Sequence, residues 1–329
     1  MNKFILFFLF ILISSASATI TTPWEISFAT GYREDHIKWR LQEPGDASTT
    51  TYREEYPNLK FMECELTLQK IYRDVIFYID TSYAFIGSDE MKQSGFDLDF
   101  TTAPVQFQFD TDSQAIKGNT YLGYVVQLTP DRHYEVNLTP LFGFTLHYEK
   151  IKRSNPNPNP YLSSQIETAD YFTVQSNLSG NDFRQKWYGV FIGVNFFARP
   201  GGGRFSFASG YRYYFLSFKQ SFFSNLFINE FVGDSVSTQE IREFHAKASR
   251  GGNHGHSGYL KLSTYPNKYL KLSVIGNIIY FSTETFNVNV NNQITSLFPT
   301  YSNSVFDESQ KIKNRSLVFE VLLQLSFYL

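Results

Sequence analysis

The C-terminal segment of the chain carries one continuous apolar face. Between residues 316 and 329 every second residue is apolar, from Leu317 to the terminal Leu329, and Ser316, Glu320 and Gln324 occupy the other face. Alternation with a period of two predicts a β-strand. The run is longer than the roughly 9 to 11 tilted residues that cross a bilayer. The chain is therefore predicted to end in a membrane-spanning strand.

The same alternation recurs along the chain. Clear runs occupy residues 75–85, 136–148 and 270–280. Weaker runs begin at Trp24, Met62, Tyr121, Tyr188, Phe205 and Gly258. Together with the terminal run these segments predict ten strands and an all-β fold.

The connections between the predicted strands alternate between short and long. Short joints rich in Pro, Gly, Asn and Asp lie at residues 72–74, 130–133, 199–203 and 266–268. Long polar connections lie at residues 42–55, 87–118, 150–184, 219–257 and 283–314. This asymmetry is typical of a closed antiparallel transmembrane β-barrel with short periplasmic turns and long extracellular loops. The alternative is a soluble β-domain, but its strands are usually shorter.

The composition fits a barrel whose membrane signal is hidden in its averages. The chain contains 34 Phe and 22 Tyr, yet its mean hydropathy is only −0.26, because lumen-facing polar residues alternate with lipid-facing apolar ones. A net charge of −2 gives no basic footprint for nucleic acid. The lone Cys64 excludes an internal disulfide.

The N-terminus has the pattern of a secretory signal peptide. Lys3 is followed by the apolar run 4–13 and by Ala16-Ser17-Ala18, which predicts cleavage after Ala18. A membrane anchor helix is the alternative, but it needs a longer apolar run. We therefore expect residues 1–18 to be a signal peptide and residues 19–329 to form one barrel in the outer membrane of a Gram-negative cell.

Charged residues on the polar faces are predicted to point into the lumen. Besides Glu25 and Arg33, these candidates are Glu63, Glu65, Asp80, Arg212, Lys261, Lys271 and Glu320. Both signs are present, so we expect the charges to pair across the lumen. An eight-stranded barrel is just filled by side chains, whereas water-filled porins have 16 or more strands. A ten-stranded lumen should be mostly filled, although a narrow path stays open as an alternative.

Several short motifs resemble two families of outer-membrane barrels. They are Gly31-Tyr32-Arg33-Glu34-Asp35 with Trp39, Tyr56-Pro57-Asn58-Leu59-Lys60, Trp187-Tyr188-Gly189-Val190-Phe191-Ile192-Gly193-Val194 and Gly258-Tyr259-Leu260. In layout the chain resembles the omptin-type ten-stranded barrels and, more closely, the Protochlamydia outer membrane proteins. The resemblance covers essentially the whole mature chain.

Resemblance to omptins implies a possible endopeptidase site. Omptins use an Asp pair spaced D-x-D and a His-Asp pair at the outer mouth, and Asp97-Leu98-Asp99 matches the first pair. The counterpart of the second is Glu243-Phe244-His245, with Glu in place of Asp. A peptidase needs a positioned general base, and this His is predicted to lie deep in a long loop. The alternative is a set of solvated loop carboxylates.

The histidine-rich segment 251–256 could suggest a metal site. A structural site needs about four ligands held by supporting contacts, and glycines surround His254 and His256. A flexible surface loop is the preferred interpretation, with no metal, and no motif for another cofactor is present.

Three functions remain open from the sequence. The first is a non-enzymatic envelope protein whose loops bind an extracellular ligand, because binding on rigid scaffolds is concentrated in loops. The second is a narrow porin-like channel, and the third is an omptin-like peptidase. The expected partners are outer-membrane lipid and the barrel-assembly machinery, the latter through the C-terminal strand.

Overall fold

The computed structural model describes eleven segments of the chain. They are residues 24–42, 50–85, 95–100, 103–129, 134–158, 170–175, 182–201, 203–232, 235–284, 286–296 and 304–329. The predicted signal peptide lies outside the described residues. The described residues contain no helix that is long and apolar enough to cross a membrane.

The described residues form fourteen β-strands. They are β1 (Glu25–Gln42), β2 (Thr50–Tyr72), β3 (Val75–Phe85), β4 (Gly95–Phe100), β5 (Ala103–Tyr124), β6 (Val126–Gln127), β7 (Tyr134–Pro158), β8 (Asp170–Gln175), β9 (Asp182–Pro200), β10 (Phe205–Val232), β11 (Ser235–Asn267), β12 (Leu270–Ser282), β13 (Phe286–Ser296) and β14 (Ser304–Tyr328).

Ten of these strands close into an antiparallel barrel. Around the ring the order is β1, β2, β3, β5, β7, β9, β10, β11, β12 and β14, and β14 pairs again with β1. Glu25 at the start of β1 lies opposite Tyr328 at the end of β14. The shorter strands β4, β6, β8 and β13 extend the sheet at its ends. The predicted closed barrel of ten strands is confirmed.

The turn between β2 and β3 shows why the predicted short joints are tight. Tyr72 pairs with Val75, and the two residues between them, Arg73 and Asp74, have φ values of 48° and 68°. Positive φ at both central positions is the mark of a type I′ hairpin turn, whose twist matches that of the flanking strands. Asp tolerates this conformation better than bulky or β-branched residues do.

The prediction of long loops at the other rim is wrong for several segments. Residues 219–257 belong mostly to β10 and β11, which pair as far as Val232 and Ser235. Strand pairing also occupies parts of the other long connections, for example β5 from Ala103 and β14 from Ser304. Beyond the membrane both faces of a strand can contact water, so neither face has to be apolar. The backbone hydrogen bonds between neighbouring strands nevertheless continue. Apolar alternation therefore marks only the part of each strand inside the membrane.

The outward face has the bands expected of a membrane barrel. Exposed Trp24, Tyr72, Tyr134, Phe205 and Tyr269 surround the rim with the short turns. Above them is a wide apolar belt that includes Phe28, Leu66, Leu122, Phe144 and Leu323. Beyond Tyr148 and Tyr188 the outward face of β7, β9, β10 and β11 becomes basic, with Lys150, Lys152, Arg184, Lys186, Lys219 and Lys247. Aromatic girdles at both edges of an apolar band define the membrane position.

Candidate functional site

The lumen towards the outer end of the barrel is filled by aromatic side chains. We call this group the aromatic layer: Trp39, Tyr56, Phe183, Trp187, Phe218, Phe222 and Phe281, each with no more than 2% of its surface exposed. The ring of Trp39 lies 4.8 Å from that of Phe222, and the ring of Trp187 lies 4.4 Å from that of Phe218. Such contacts are characteristic of a packed protein core. These packed rings fill the described lumen at this level.

A buried ionic cluster lies next to the aromatic layer. Arg33 Nε and a terminal guanidinium nitrogen bind both carboxylate oxygens of Asp35, at 2.8 and 2.7 Å. The same terminal nitrogen lies 2.7 Å from His147 Nε2 and 3.2 Å from Glu149 Oε1. All four side chains are at most 1% exposed, and the His147 ring contacts Phe281 edge to face at 5.5 Å. We call these four residues the Arg33 cluster.

A second ionic cluster surrounds Lys117 on β5. Its ammonium donates to both oxygens of Glu320 at 2.8 Å and lies 3.2 Å from Glu63 and 3.5 Å from Glu65. Asn277 Nδ2 also donates to Glu320 at 2.8 Å. One buried cation therefore balances part of the charge of three carboxylates from β2 and β14.

The periplasmic half of the lumen contains a cavity of about 800 Å³. The turn residues Gly203 and Lys268 lie at its rim, and Lys117 and Arg212 line its deep end. Within it, Lys271 pairs with Glu25. The cavity thus opens towards the short turns, on the opposite side of the ionic clusters from the aromatic layer.

The structure places the predicted lumen charges on the inner face. Glu65, Asp80, Arg212, Lys261, Lys271 and Glu320 line the cavity, and Glu63 is fully buried beside Lys117. The expected pairing across the lumen holds for Glu63, Glu65, Lys271 and Glu320. Lys261 instead donates to the Gln324 amide oxygen at 2.5 Å.

Sequence reasoning missed four members of the ionic clusters. Asp35 has the same inward parity on β1 as Arg33 but is absent from the predicted lumen charges. Lys117 was assigned to the long connection 87–118, although its strand extends from Ala103 to Tyr124. His147 and Glu149 were assigned to the polar face of a strand but were not counted among the lumen charges. The same alternation that selected Glu63 would have selected both, because they share the inward parity of β7.

The Arg33 cluster contains the right atoms for a metal site but already holds a cation. Ligand atoms of Asp35, His147 and Glu149 lie within 4.8 Å of one another. The guanidinium of Arg33 occupies the centre of this group. A metal ion would have to displace a positive charge from a fully buried position, so the geometry fits an ion-pair cluster better than a metal site.

The residues predicted for a peptidase lie in strands rather than loops. Asp97 and Asp99 belong to β4, which takes the place of β3 between β2 and β5 at the outer end. Glu243 and His245 belong to β11 and pair with β10 and β13. Four strands separate β4 from β11 in either direction around the ring, so the two pairs lie on opposite walls. Their side chains lie outside the described residues, and the catalytic hypothesis stays a prediction.

The prediction of a flexible loop at residues 251–256 is wrong. These residues lie in β11, where a bulge at Gly252, with φ of 78°, interrupts the register against β10. His254 and His256 face outward and lie 2.9 and 2.6 Å from the hydroxyls of Tyr213 and Tyr211. Glycine at a bulge accommodates the positive φ, so the pattern that suggested a loop reflects a local kink in a strand.

Comparison with protein families agrees with this architecture. The model of the Protochlamydia outer membrane protein family matches residues 27–271. The chain belongs to this family. Its outer-membrane location and its barrel fold follow from that membership and from the structure. No curated protein sequence matches this member of the family.

Solved structures resemble it only in fold. The outer membrane protease OmpT from Escherichia coli aligns with a TM-score of 0.58 and 10% identity, over 96% of this chain and 100% of OmpT. The outer membrane protein OprG from Pseudomonas aeruginosa aligns with a TM-score of 0.35 and 8% identity, over 94% of this chain and 98% of OprG. The OmpT likeness supports the ten-stranded barrel, and the OprG likeness is too low to support further inference.

Proposed function

We propose that this family member is a closed, non-conducting barrel that holds an interaction surface outside the outer membrane. The observation that carries the proposal is the aromatic layer, because Trp39, Phe183, Trp187 and Phe218 are fully buried across the lumen. A sealed barrel does not provide a diffusion path, so its function has to lie at one of its two ends.

The outer end is the larger of the two. β10 has 28 residues and β11 has 33, whereas roughly 9 to 11 tilted residues suffice to cross a bilayer. The paired strands therefore continue well beyond the outer girdle. A stiff projecting sheet can hold binding residues in fixed positions, as rigid scaffolds do for the binding loops of other proteins. The interaction surface would then be formed by hairpins rather than by the long loops expected from sequence.

Conductance tests the closed lumen. Refolded residues 19–329 should give no current steps in a planar bilayer, after heat-dependent gel mobility has shown that the barrel has formed. A variant with Trp39→Ala and Trp187→Ala removes two fully buried indoles and should give small steps, which shows that the assay detects a path. Steady ohmic steps from the wild type would contradict the proposal and favour the channel alternative.

A shortened hairpin tests the surface role. Asn225 and Glu243 face each other in the β10–β11 register, so replacing residues 226–242 by Asn-Gly preserves a two-residue turn. Cells displaying equal amounts of the wild type and of this variant would be compared for adherence to protein-coated and glycan-coated surfaces. Equal adherence of the two would argue against an interaction surface at this tip.

An omptin-like peptidase is the second candidate. It is supported by the position of β4 and β11 on opposite walls towards the outer end of the barrel. The test is cleavage of fluorogenic peptides with basic residues by the refolded protein. The Asp97→Asn variant should abolish any cleavage, whereas Asp112→Asn, at an exposed outward position of β5, should not change it. Absence of cleavage by the wild type removes this candidate.

A further inference from the structure

Arg212 differs from three other described cations of the lumen, which are held in ion pairs. Arg33 is paired with Asp35, Lys117 with Glu320 and Lys271 with Glu25. Among the described residues, no carboxylate forms an ion pair with Arg212, and its buried Nε has no hydrogen-bond partner. A buried charged donor without an acceptor is costly unless it has a partner. Its geometry therefore points to a ligand that supplies the missing acceptors.

The guanidinium of Arg212 is held in place by aromatic rings. Its central carbon lies 5.4 Å from the ring centre of Tyr121 and 5.1 Å from that of Phe191. Both distances are within the range of a cation–π contact. Asp80 lines the same cavity, interacts with Arg212 through its charge, and accepts a hydrogen bond from Asn119 at 2.8 Å. Arg212 is thus fixed by packing and remains available to a ligand in the cavity.

A second unsatisfied group lies beside it on the inner face. Asn195 is paired with Gly210 in the β9–β10 register, which makes it a diagonal neighbour of Arg212. Its buried Oδ1 has no hydrogen-bond partner among the described residues. A side chain at Gly210 would come within 2.4 Å of this oxygen and 2.3 Å of the Tyr259 ring. The Tyr259 ring and Asn195 Oδ1 already occupy the space that a side chain at Gly210 would need, so Asn195 Oδ1 is a buried acceptor packed beside Tyr259 and diagonal to Arg212.

The entrance of the cavity favours anions. Arg199, Arg204 and Lys268 lie at the periplasmic rim, where Glu135 is the acid that faces them. The described lining of the whole cavity has seven basic and five acidic side chains, and this excess of positive charge favours anionic ligands. Lys261, bound to an amide rather than to a carboxylate, adds a further positive charge between the rim and Arg212.

We propose that this cavity binds a small organic carboxylate that enters from the periplasm. The carboxylate would bind the guanidinium of Arg212, whose planar fork matches two carboxylate oxygens. A hydroxyl or amide N–H next to the carboxylate would donate to Asn195 Oδ1. The apolar body of the ligand would lie against Tyr78 and Tyr259, which line the same cavity. This site is separate from the outer interaction surface proposed above.

Calorimetric titration of the refolded barrel in detergent micelles tests the site. The probes are benzoate and its neutral analogue benzamide, which share the ring but differ in charge. Benzoate should bind saturably and benzamide should not. Arg212→Gln should weaken benzoate binding by at least about tenfold, because charge-assisted hydrogen bonds to the carboxylate are lost. Lys219→Gln removes an equal charge from the outward face and should leave binding unchanged.

Equal benzoate affinity in the wild type and in Arg212→Gln would overturn the proposal, and so would the absence of benzoate binding to the wild type.

A second measurement avoids any dependence on the folding of a variant. Phenylglyoxal should modify Arg212 in the folded wild-type protein, as detected by mass spectrometry of peptides. Benzoate should protect Arg212 and leave the outward-facing Arg184 reactive. Modification of Arg212 at the same rate with and without benzoate would also overturn the proposal.

Discussion

Replacing Lys117 by Met should destabilise the barrel more than any loss of a surface charge. The ammonium of Lys117 contacts Glu63, Glu65 and Glu320 inside the lumen, and its side chain is only 5% exposed. Met has a similar length, so the main change is the loss of the charge. The variant leaves three carboxylates next to one another without the cation that holds them together.

The magnitude follows from the burial of the partners. Removing one member of a buried ion pair costs about 3 to 5 kcal/mol, since the remaining charge is left uncompensated. The lower value is appropriate here because the neighbouring cavity admits some water. A loss of about 3 kcal/mol corresponds to a roughly hundredfold change in the unfolding equilibrium.

Urea unfolding of the refolded protein in lipid vesicles, followed by Trp fluorescence, measures this change. Lys152→Met is the control, because Lys152 is exposed on the outward face of the same sheet and exposed ion pairs contribute little. Adding Glu320→Gln to Lys117→Met should recover part of the loss, since it removes one of the uncompensated charges. A loss in Lys117→Met no larger than that in Lys152→Met would refute the reasoning.

Three further predictions concern the lipid face, the turn and the barrel seam. Leu323→Arg places a charge on an exposed position of the apolar belt and should cost about 2 to 4 kcal/mol in the same unfolding assay, whereas Leu323→Ala should cost less. Asp74→Val puts a β-branched residue at a φ of 68° and should destabilise the β2–β3 turn by about 1 kcal/mol or more, while Asp74→Gly should be neutral or stabilising. Gly31→Val should impair refolding, because a Cβ at this position would lie 2.0 Å from the Val321 carbonyl oxygen where β1 pairs with β14. Heat-dependent gel mobility measures the refolding yield, and an unchanged yield would contradict the closeness of this contact.

The membrane-spanning part of the fold could be predicted because lipid imposes a pattern on the sequence. Outward residues such as Phe144 and Leu323 must be apolar, and inward residues such as Glu320 can be polar, so strands and their parity follow from alternation. The turn at Arg73 and Asp74 was predicted for the same reason, since it separates two clear alternating runs. Where lipid no longer selects the outward residues, as in β10 beyond Lys219, alternation is lost and the strands were predicted as loops.

The contacts of the candidate sites were less accessible to sequence reasoning. Alternation indicates that Arg33 and His147 face inward. It does not indicate that a guanidinium nitrogen of Arg33 lies 2.7 Å from His147 Nε2, although the two residues are 114 positions apart in the chain. That proximity depends on the register of every strand between β1 and β7. The unpaired state of Arg212 is equally invisible in the sequence, because it follows from the positions of all the acids around it.

The order of layers along the lumen separates the two ends of the barrel. Polar and charged side chains line the lumen and its cavity at the level of the membrane, and the aromatic layer around Trp39 and Trp187 lies towards the outer end. The ligand proposed near Arg212 would therefore exchange with the periplasm, whereas a partner of the projecting strands would meet the outer surface. Because Phe281 contacts both His147 and Trp187, the Arg33 cluster and the aromatic layer pack as one continuous core. Opening the lumen at this level would require breaking both the ion pairs and the ring contacts, and this is the physical basis of the proposal that the barrel is closed.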